Sequence, residues 1–165
     1  MTWVVDASNV IGSRPDGWWR DRAGATRRLV AQLDRFADDA GEPVIVVLDG
    51  GEPPPAERAE VVVASRRGRD AADDEIVALL EARGADGARV VTSDAELARR
   101  VRALGADVEG AGGFRRRLDE VEAASRGERQ RRLGRGRVRD EQVRSRPLFS
   151  PRGRRNASPR RTTAT

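Results

Sequence analysis

The chain has 165 residues, 36% of them charged, and a formal net charge of +5; Cys, His and Tyr are absent, and all 32 basic residues are arginine. These absences exclude a disulfide framework, a thiolate nucleophile, a Ser-His-Asp triad, the usual zinc ligands and a P-loop lysine. Catalysis, if present, must rest on carboxylates, hydroxyls, arginines and an oxygen-seeking metal.

The length suits one domain, and no apolar run approaches the roughly 18 residues of a membrane span, which points to a soluble cytoplasmic protein. The charge is divided along the chain. Residues 1–114 carry 15 Arg against 21 acids, a balance of −6, and residues 115–165 carry 17 Arg against 6 acids, a balance of +11. An acidic body with a basic extension suits a metal-binding domain that recruits a polyanion.

In chain order, the apolar run Thr2–Asp6 predicts a buried strand. A helix is expected over Asp21–Ala40, where Ala25, Leu29, Val30, Leu33, Phe36 and Ala37 recur at helical spacing. Pro43–Asp49 then reads as a second buried strand, completing a βαβ unit. Further on, the pattern predicts a strand at Glu60–Ala64, a helix from Asp70 to Arg83, a strand at Arg89–Thr92, a helix at Ala95–Leu104 and a strand at Asp107–Glu109. Gly112–Ala123 is expected to be a closing helix docked through Phe114 and Leu118. From about Ser125 the apolar periodicity fails, so residues 1–124 are read as the domain. Residues 125–165 are read as an arginine-rich, largely disordered tail with one transient helix near Glu128–Leu133. Alternating strands and helices imply an α/β three-layer sandwich with a mostly parallel sheet.

Asp6, Asp49 and Asp94 lie at the ends of three such strands, and the carboxyl ends of parallel strands share one sheet edge where ligands bind. Asp70, Asp73 and Asp74 fall on one face of the following helix. Each acid also has a plain reading: Asp70 as an N-cap, Asp73 and Asp74 as first-turn acids, and Ser93-Asp94-Ala95-Glu96 as a capping box with Ser93 as its cap. Together they favour a metal site, because converging carboxylates repel one another until a cation or a raised pKa relieves them. Aspartates holding Mg²⁺ or Mn²⁺ suit phosphodiester hydrolysis.

The ordered set Asp6-Ala7-Ser8-Asn9-Val10-Ile11, Val47-Leu48-Asp49-Gly50, Asp70-Ala71-Ala72-Asp73-Asp74-Glu75-Ile76 and Val90-Val91-Thr92-Ser93-Asp94 resembles the NYN domain family, in its YacP-like branch within the PIN-like nuclease superfamily. The resemblance covers about residues 2–120. It implies a PIN-like ribonuclease with Asp6 and Asp94 as metal ligands, joined by Asp73 or Asp74 and by Asp70. It also implies that Asn9 orients the first aspartate or a phosphate, and that Thr92 and Ser93 support the site. The family's usual first dipeptide, Asp-Gly, is here Asp6-Ala7, and the doubled Asp73-Asp74 leaves the ligand open.

Around this centre, Trp18 and Arg20 are candidates for stacking on unpaired bases, although packing of Trp18 and Trp19 on the core is favoured, with one of the pair exposed. Arg66, Arg67 and Arg69 precede the acidic helix and are candidate phosphate contacts. The partner implied is RNA, single-stranded or structured, with no membrane; a homodimer is left open. The reading is therefore a Mg²⁺- or Mn²⁺-dependent ribonuclease, against a catalytically silent RNA-binding or regulatory domain. A haloacid-dehalogenase-type phosphatase is disfavoured because Ser8 stands where a second Asp is needed, and a DNA flap nuclease shares the same kind of site.

Overall fold

The computed structural model describes the backbone of residues 1–68 and 70–144, with side chains as far as Arg131. Five strands, β1 (Thr2–Asp6), β2 (Val44–Leu48), β3 (Glu60–Val63), β4 (Ala88–Val91) and β5 (Asp107–Glu109), form one sheet in the order β3-β2-β1-β4-β5. Every pairing is parallel, and Val5 stands beside Val46 on one side and Val91 on the other. Because β1 is central, both of its faces are covered, which is why its residues read as an unbroken apolar run.

The alternation of side chains along the strands divides the core into two. Trp3, Val5, Val44, Val46 and Leu48 face α1 (Ala7–Gly12), α2 (Arg22–Ala40) and α5 (Ala111–Arg144), meeting Leu29, Leu33, Phe36, Phe114 and Leu118. Val4, Ile45, Val47 and Val90 face α3 (Ala71–Arg83) and α4 (Ala95–Ala103), meeting Ile76, Leu80, Leu97 and Val101. The result is the expected α/β/α sandwich. Trp3, Phe36 and Phe114 make three mutual ring contacts with centroids 5.1–5.3 Å apart, two of them edge-on. Such pairs add about 0.5–1.5 kcal/mol each beyond their burial. The buried Trp3 indole N–H is satisfied by Glu42 at 2.7 Å.

Three features lie beyond what the expected elements describe. A short helix, α1, follows β1 directly; its first turn exists because the Asp6 side chain accepts the Asn9 N–H at 3.1 Å. Six residues are too few to display a helical period. Second, the connection from β2 to β3, which contains no helix, as expected, is held by a side chain from another element. Asp34 of α2 gathers it, accepting the backbone N–H groups of Glu57, Arg58 and Ala59 at 3.1, 2.9 and 2.8 Å. Third, α5 extends past the Gly112–Ala123 span, because Ala, Arg, Glu and Gln sustain a helix by propensity where apolar spacing has lapsed.

The loop before α2 holds a 3₁₀ turn at Trp18–Arg20, and Asp21 caps α2 by accepting the Gly24 N–H at 2.8 Å. A Cβ at residue 24 would fall 1.8 Å from an Asp21 oxygen, so a side chain there would displace the capping carboxylate. The chain divides into Met1–Gly127 and Glu128–Thr165. Of the second unit, the described part is α5 to Arg144, with side chains only to Arg131; the tail expected over 125–165 is thus helical as far as Arg144, and its remainder lies outside the described residues.

Candidate active site

Parallel pairing brings the carboxyl ends of β1, β2 and β4 to one edge, and with them Asp6, Asp49 and Asp94. Asp6 ends β1 and is 4% exposed, one of two buried polar residues in the described chain. The other is Thr92, whose hydroxyl donates to Asp6 Oδ2 at 3.3 Å and accepts the Asp94 N–H at 3.1 Å. Thr92 therefore joins the first aspartate to the last.

Burial raises the Asp6 carboxyl above its ordinary pKa, and the negative charges of Asp49 and Asp94 raise it further, against the opposing Asn9 N–H and Thr92 hydroxyl. No arginine among the described residues forms an ion pair with Asp6. Asp73, half-buried in the first turn of α3, is pushed up to about 6, chiefly by burial and then by Asp6, Asp94 and Asp70, with Arg100 opposing. Its neighbour Asp74 is exposed and pairs with Arg100 of α4 at 2.9 Å. Asp70 occupies the N-cap position of α3, but its side chain makes no capping bond.

The cap of α4 is Asp94 rather than Ser93: Asp94 Oδ1 accepts the N–H groups of Glu96 and Leu97 at 2.8 and 2.9 Å. Ser93 is turned elsewhere. Its N–H donates to the Asn9 side-chain oxygen at 2.8 Å, and its hydroxyl accepts the Ala111 N–H at the start of α5. Asn9 thus holds Asp6 through its backbone and the β4 exit through its side chain. Asp49 is exposed and accepts a hydrogen bond from the Ser8 hydroxyl.

Among the described residues no three carboxylates are already drawn together tightly enough to hold a metal ion. The cause is visible in their partners: Asp94 is turned to its helix, Asp6 to Asn9 and Thr92, and Asp74 to Arg100. The chemistry of the donors nonetheless fits a hard divalent cation. Asp6, Asp73 and Asp94 supply only oxygen; beyond the effect of burial, Asp94 raises the pKa of both Asp6 and Asp73 and Asp6 that of Asp73, and Asp6 is buried with no cationic partner among the described residues.

Of the candidate nucleic-acid residues, Trp18 is half-buried and Trp19 is 58% exposed, in keeping with one packed and one exposed ring. Arg20, Arg66 and Arg67 are exposed, and none is in an ion pair among the described residues; Arg69 lies outside the described residues. Sequence reasoning missed Ser8, Arg22 and Arg100. Arg22 lies over the Trp18 ring, 5.3 Å from its centroid. Only tertiary packing brings Arg100 to Asp74, whereas a hydroxyl two residues past a strand-ending aspartate was a visible signal for Ser8.

The chain belongs to the YacP-like NYN domain family, whose model matches residues 3–147. The family is a nuclease-type domain. A crystal structure of a mutant of Rae1 (YacP) from Bacillus subtilis is similar at 25% identity and a TM-score of 0.64, with 86% of this chain and 84% of that one covered. The crystal structure of Rae1 (YacP) from Bacillus subtilis is similar in fold at 22% identity and a TM-score of 0.67, with 88% and 91% covered. No curated protein matches the sequence.

Proposed function

We propose that this member of the YacP-like NYN domain family is a metal-dependent ribonuclease that hydrolyses RNA phosphodiester bonds at the Asp6, Asp73 and Asp94 cluster. The observation that carries the reading is the Asp6 carboxylate, raised in pKa by its burial and then by neighbouring acids, and without a cationic partner among the described residues. Such an arrangement costs stability by itself and is relieved by a bound cation. The family's usual dependence on metal supports it.

Mg²⁺ or Mn²⁺ is the cation of choice for an all-oxygen donor set; held by Asp6, Asp73 and Asp94, it would polarise the scissile phosphate and acidify the attacking water. The chain's own groups do the positioning. Asn9 and Thr92 fix Asp6 from both oxygens, and Thr92 carries that constraint to Asp94. Arg66 and Arg67 precede α3 and are free to meet the RNA backbone, whose phosphates they bind without sequence preference. Arg100 neutralises Asp74, which lowers the negative charge the substrate must approach.

The alternative, a silent RNA-binding domain, takes its support from the spread of the carboxylates. Incubating the purified chain with single-stranded RNA, structured RNA and single-stranded DNA, in Mg²⁺, Mn²⁺ or EDTA, separates the two. Cleavage of RNA that requires the cation and disappears in Asp6→Asn is expected. The mutant keeps the volume and the acceptor for the Asn9 N–H, so it should fold, while the thermal stabilisation by Mg²⁺ or Mn²⁺ should largely vanish. Equal cleavage by wild type and mutant sinks the assignment.

A further inference from the structure

On the Asp49 side of Asp6 lies a cleft of about 450 Å³ lined by, among others, Ala7, Ser8, Ile11, Trp18, Arg22 and Asp49. Its size falls within the range of about 300–1,000 Å³ found for small-molecule pockets, enough for a single nucleoside. Three kinds of surface meet in it. Ala7 and Ile11 give an apolar wall. Trp18 and the Arg22 guanidinium stacked over it give flat faces of the kind on which unpaired bases stack. At the end nearest the catalytic edge, Asp49 and the Ser8 hydroxyl that donates to it give a polar terminus. Asp49 follows β2, which pairs with β1 up to Asp6, so that terminus lies beside Asp6.

We propose that this cleft is a base pocket, which takes one unpaired guanine of the RNA strand next to the bond being cut; the identity of the polymer rests on the nuclease reading. The argument for guanine is the acceptor-only chemistry of a carboxylate. Guanine alone presents two adjacent N–H donors, N1–H and N2–H, on its pairing edge, matching the two oxygens of Asp49. Adenine and cytosine each turn a ring-nitrogen acceptor toward that carboxylate, and uracil flanks its one donor with two carbonyls. The Ser8 bond does not exhaust the lone pairs of Asp49, since each carboxylate oxygen accepts more than one hydrogen.

The test uses the full chain in EDTA, at salt high enough to weaken nonspecific phosphate binding. Fluorescein-labelled short oligouridines carrying a single G, A, C or U at the centre are titrated by anisotropy. The G-containing oligomer should bind about tenfold more tightly, the discrimination of a good bidentate contact. Asp49→Asn should remove most of that ratio. Trp18→Ala should weaken binding of all four oligomers by about fivefold or more, and Trp18→Phe should restore it, separating lost stacking from a misfolded loop. Equal binding of the four oligomers, preference for another base, or wild-type affinity in Trp18→Ala overturns the pocket. The same RNAs incubated with Mg²⁺ or Mn²⁺ keep the two proposals apart. Guanine-selective binding without cleavage removes the nuclease reading alone, and cleavage indifferent to the base removes the pocket alone.

Discussion

Asp74 places its charge against Arg100 at 2.9 Å, whereas Asp73, one residue earlier, is half-buried facing three other acids and is pushed up to about 6, chiefly by burial. The sequence leaves the two equivalent; a salt bridge from another helix distinguishes them. Asp73→Asn should therefore lower RNA cleavage on the order of a hundredfold or more, as removal of a group stabilising transition-state charge does. Asp74→Asn should cost no more than about threefold, the scale of a surface ion pair. The reverse ranking in single-turnover rates would assign the ligand to Asp74. The raised pKa has a second consequence. Between about pH 3.8, the ordinary value, and about 6, the folded protein holds a proton at Asp73 that the unfolded chain has lost, so stability falls as pH rises through this window. In EDTA the thermal midpoint of wild type relative to Asp73→Asn should decline from pH 4.5 to pH 7, and added Mg²⁺ should recover it at pH 7. A pH-independent difference would show that neither burial nor the neighbouring acids raise the Asp73 pKa. The carboxylates themselves were legible because strand ends announce a shared edge. Their hydrogen-bond partners were not: Ser93 satisfies the sequence rule for a cap, yet Asp94 takes that role because Ser93 is committed to Asn9 and Ala111.

All five strands and the longer helices could be read from the sequence, and the physical reason is burial on both sides of the sheet. Val44-Ile45-Val46-Val47-Leu48 is buried at every residue, so its apolar run has no competing interpretation. Helix α2 shows its buried stripe in Leu29, Leu33 and Phe36 at successive turns. What escaped notice depends on interactions between distant residues, and Asp34 is the clearest case. Its carboxylate loses hydration on burial, but the N–H groups of Ala59, Arg58 and Glu57 outweigh that loss and hold it below the ordinary carboxylate range. No local pattern marks an aspartate in mid-helix as the anchor of a loop more than twenty residues away. Asp34→Ala should destabilise the protein by about 1–2 kcal/mol, the worth of charge-assisted hydrogen bonds at a partly exposed site. Urea unfolding would register this as a lower midpoint with an unchanged slope. An unchanged midpoint would mean that the prolines at 53–55 fix the loop without Asp34.

Charge is distributed between the two units in opposite sense. Residues 1–127 carry 19 arginines against 24 acids, a balance of −5, and residues 128–165 carry 13 arginines against 3 acids, a balance of +10. A negative first unit repels a polyanion at distances within the Debye length, about 8 Å at physiological salt, where its own acidic edge is strongest. On the ribonuclease reading, encounter with RNA would then draw on the basic segment, through release of counterions from phosphates. That segment carries the arginine-glycine runs Gly134-Arg135-Gly136-Arg137 and Arg152-Gly153-Arg154-Arg155, a composition suited to binding without sequence preference. Deleting residues 128–165 leaves the buried anchors of α5, Phe114 and Leu118, in place, so the remaining chain should stay folded. Affinity for long RNA should fall, and the slope of log K against log salt should flatten by about 0.7 for each single-strand phosphate that the protein no longer neutralises. Turnover at saturating RNA should change little, because Asp6, Asp73 and Asp94 all lie in the first unit. A rise in KM with constant kcat is the expected signature of removing binding that was equal in ground and transition states. If the shortened chain instead keeps the full salt slope, the phosphates are held by Arg20, Arg66 and Arg67 at the sheet edge, and the basic segment serves something other than RNA.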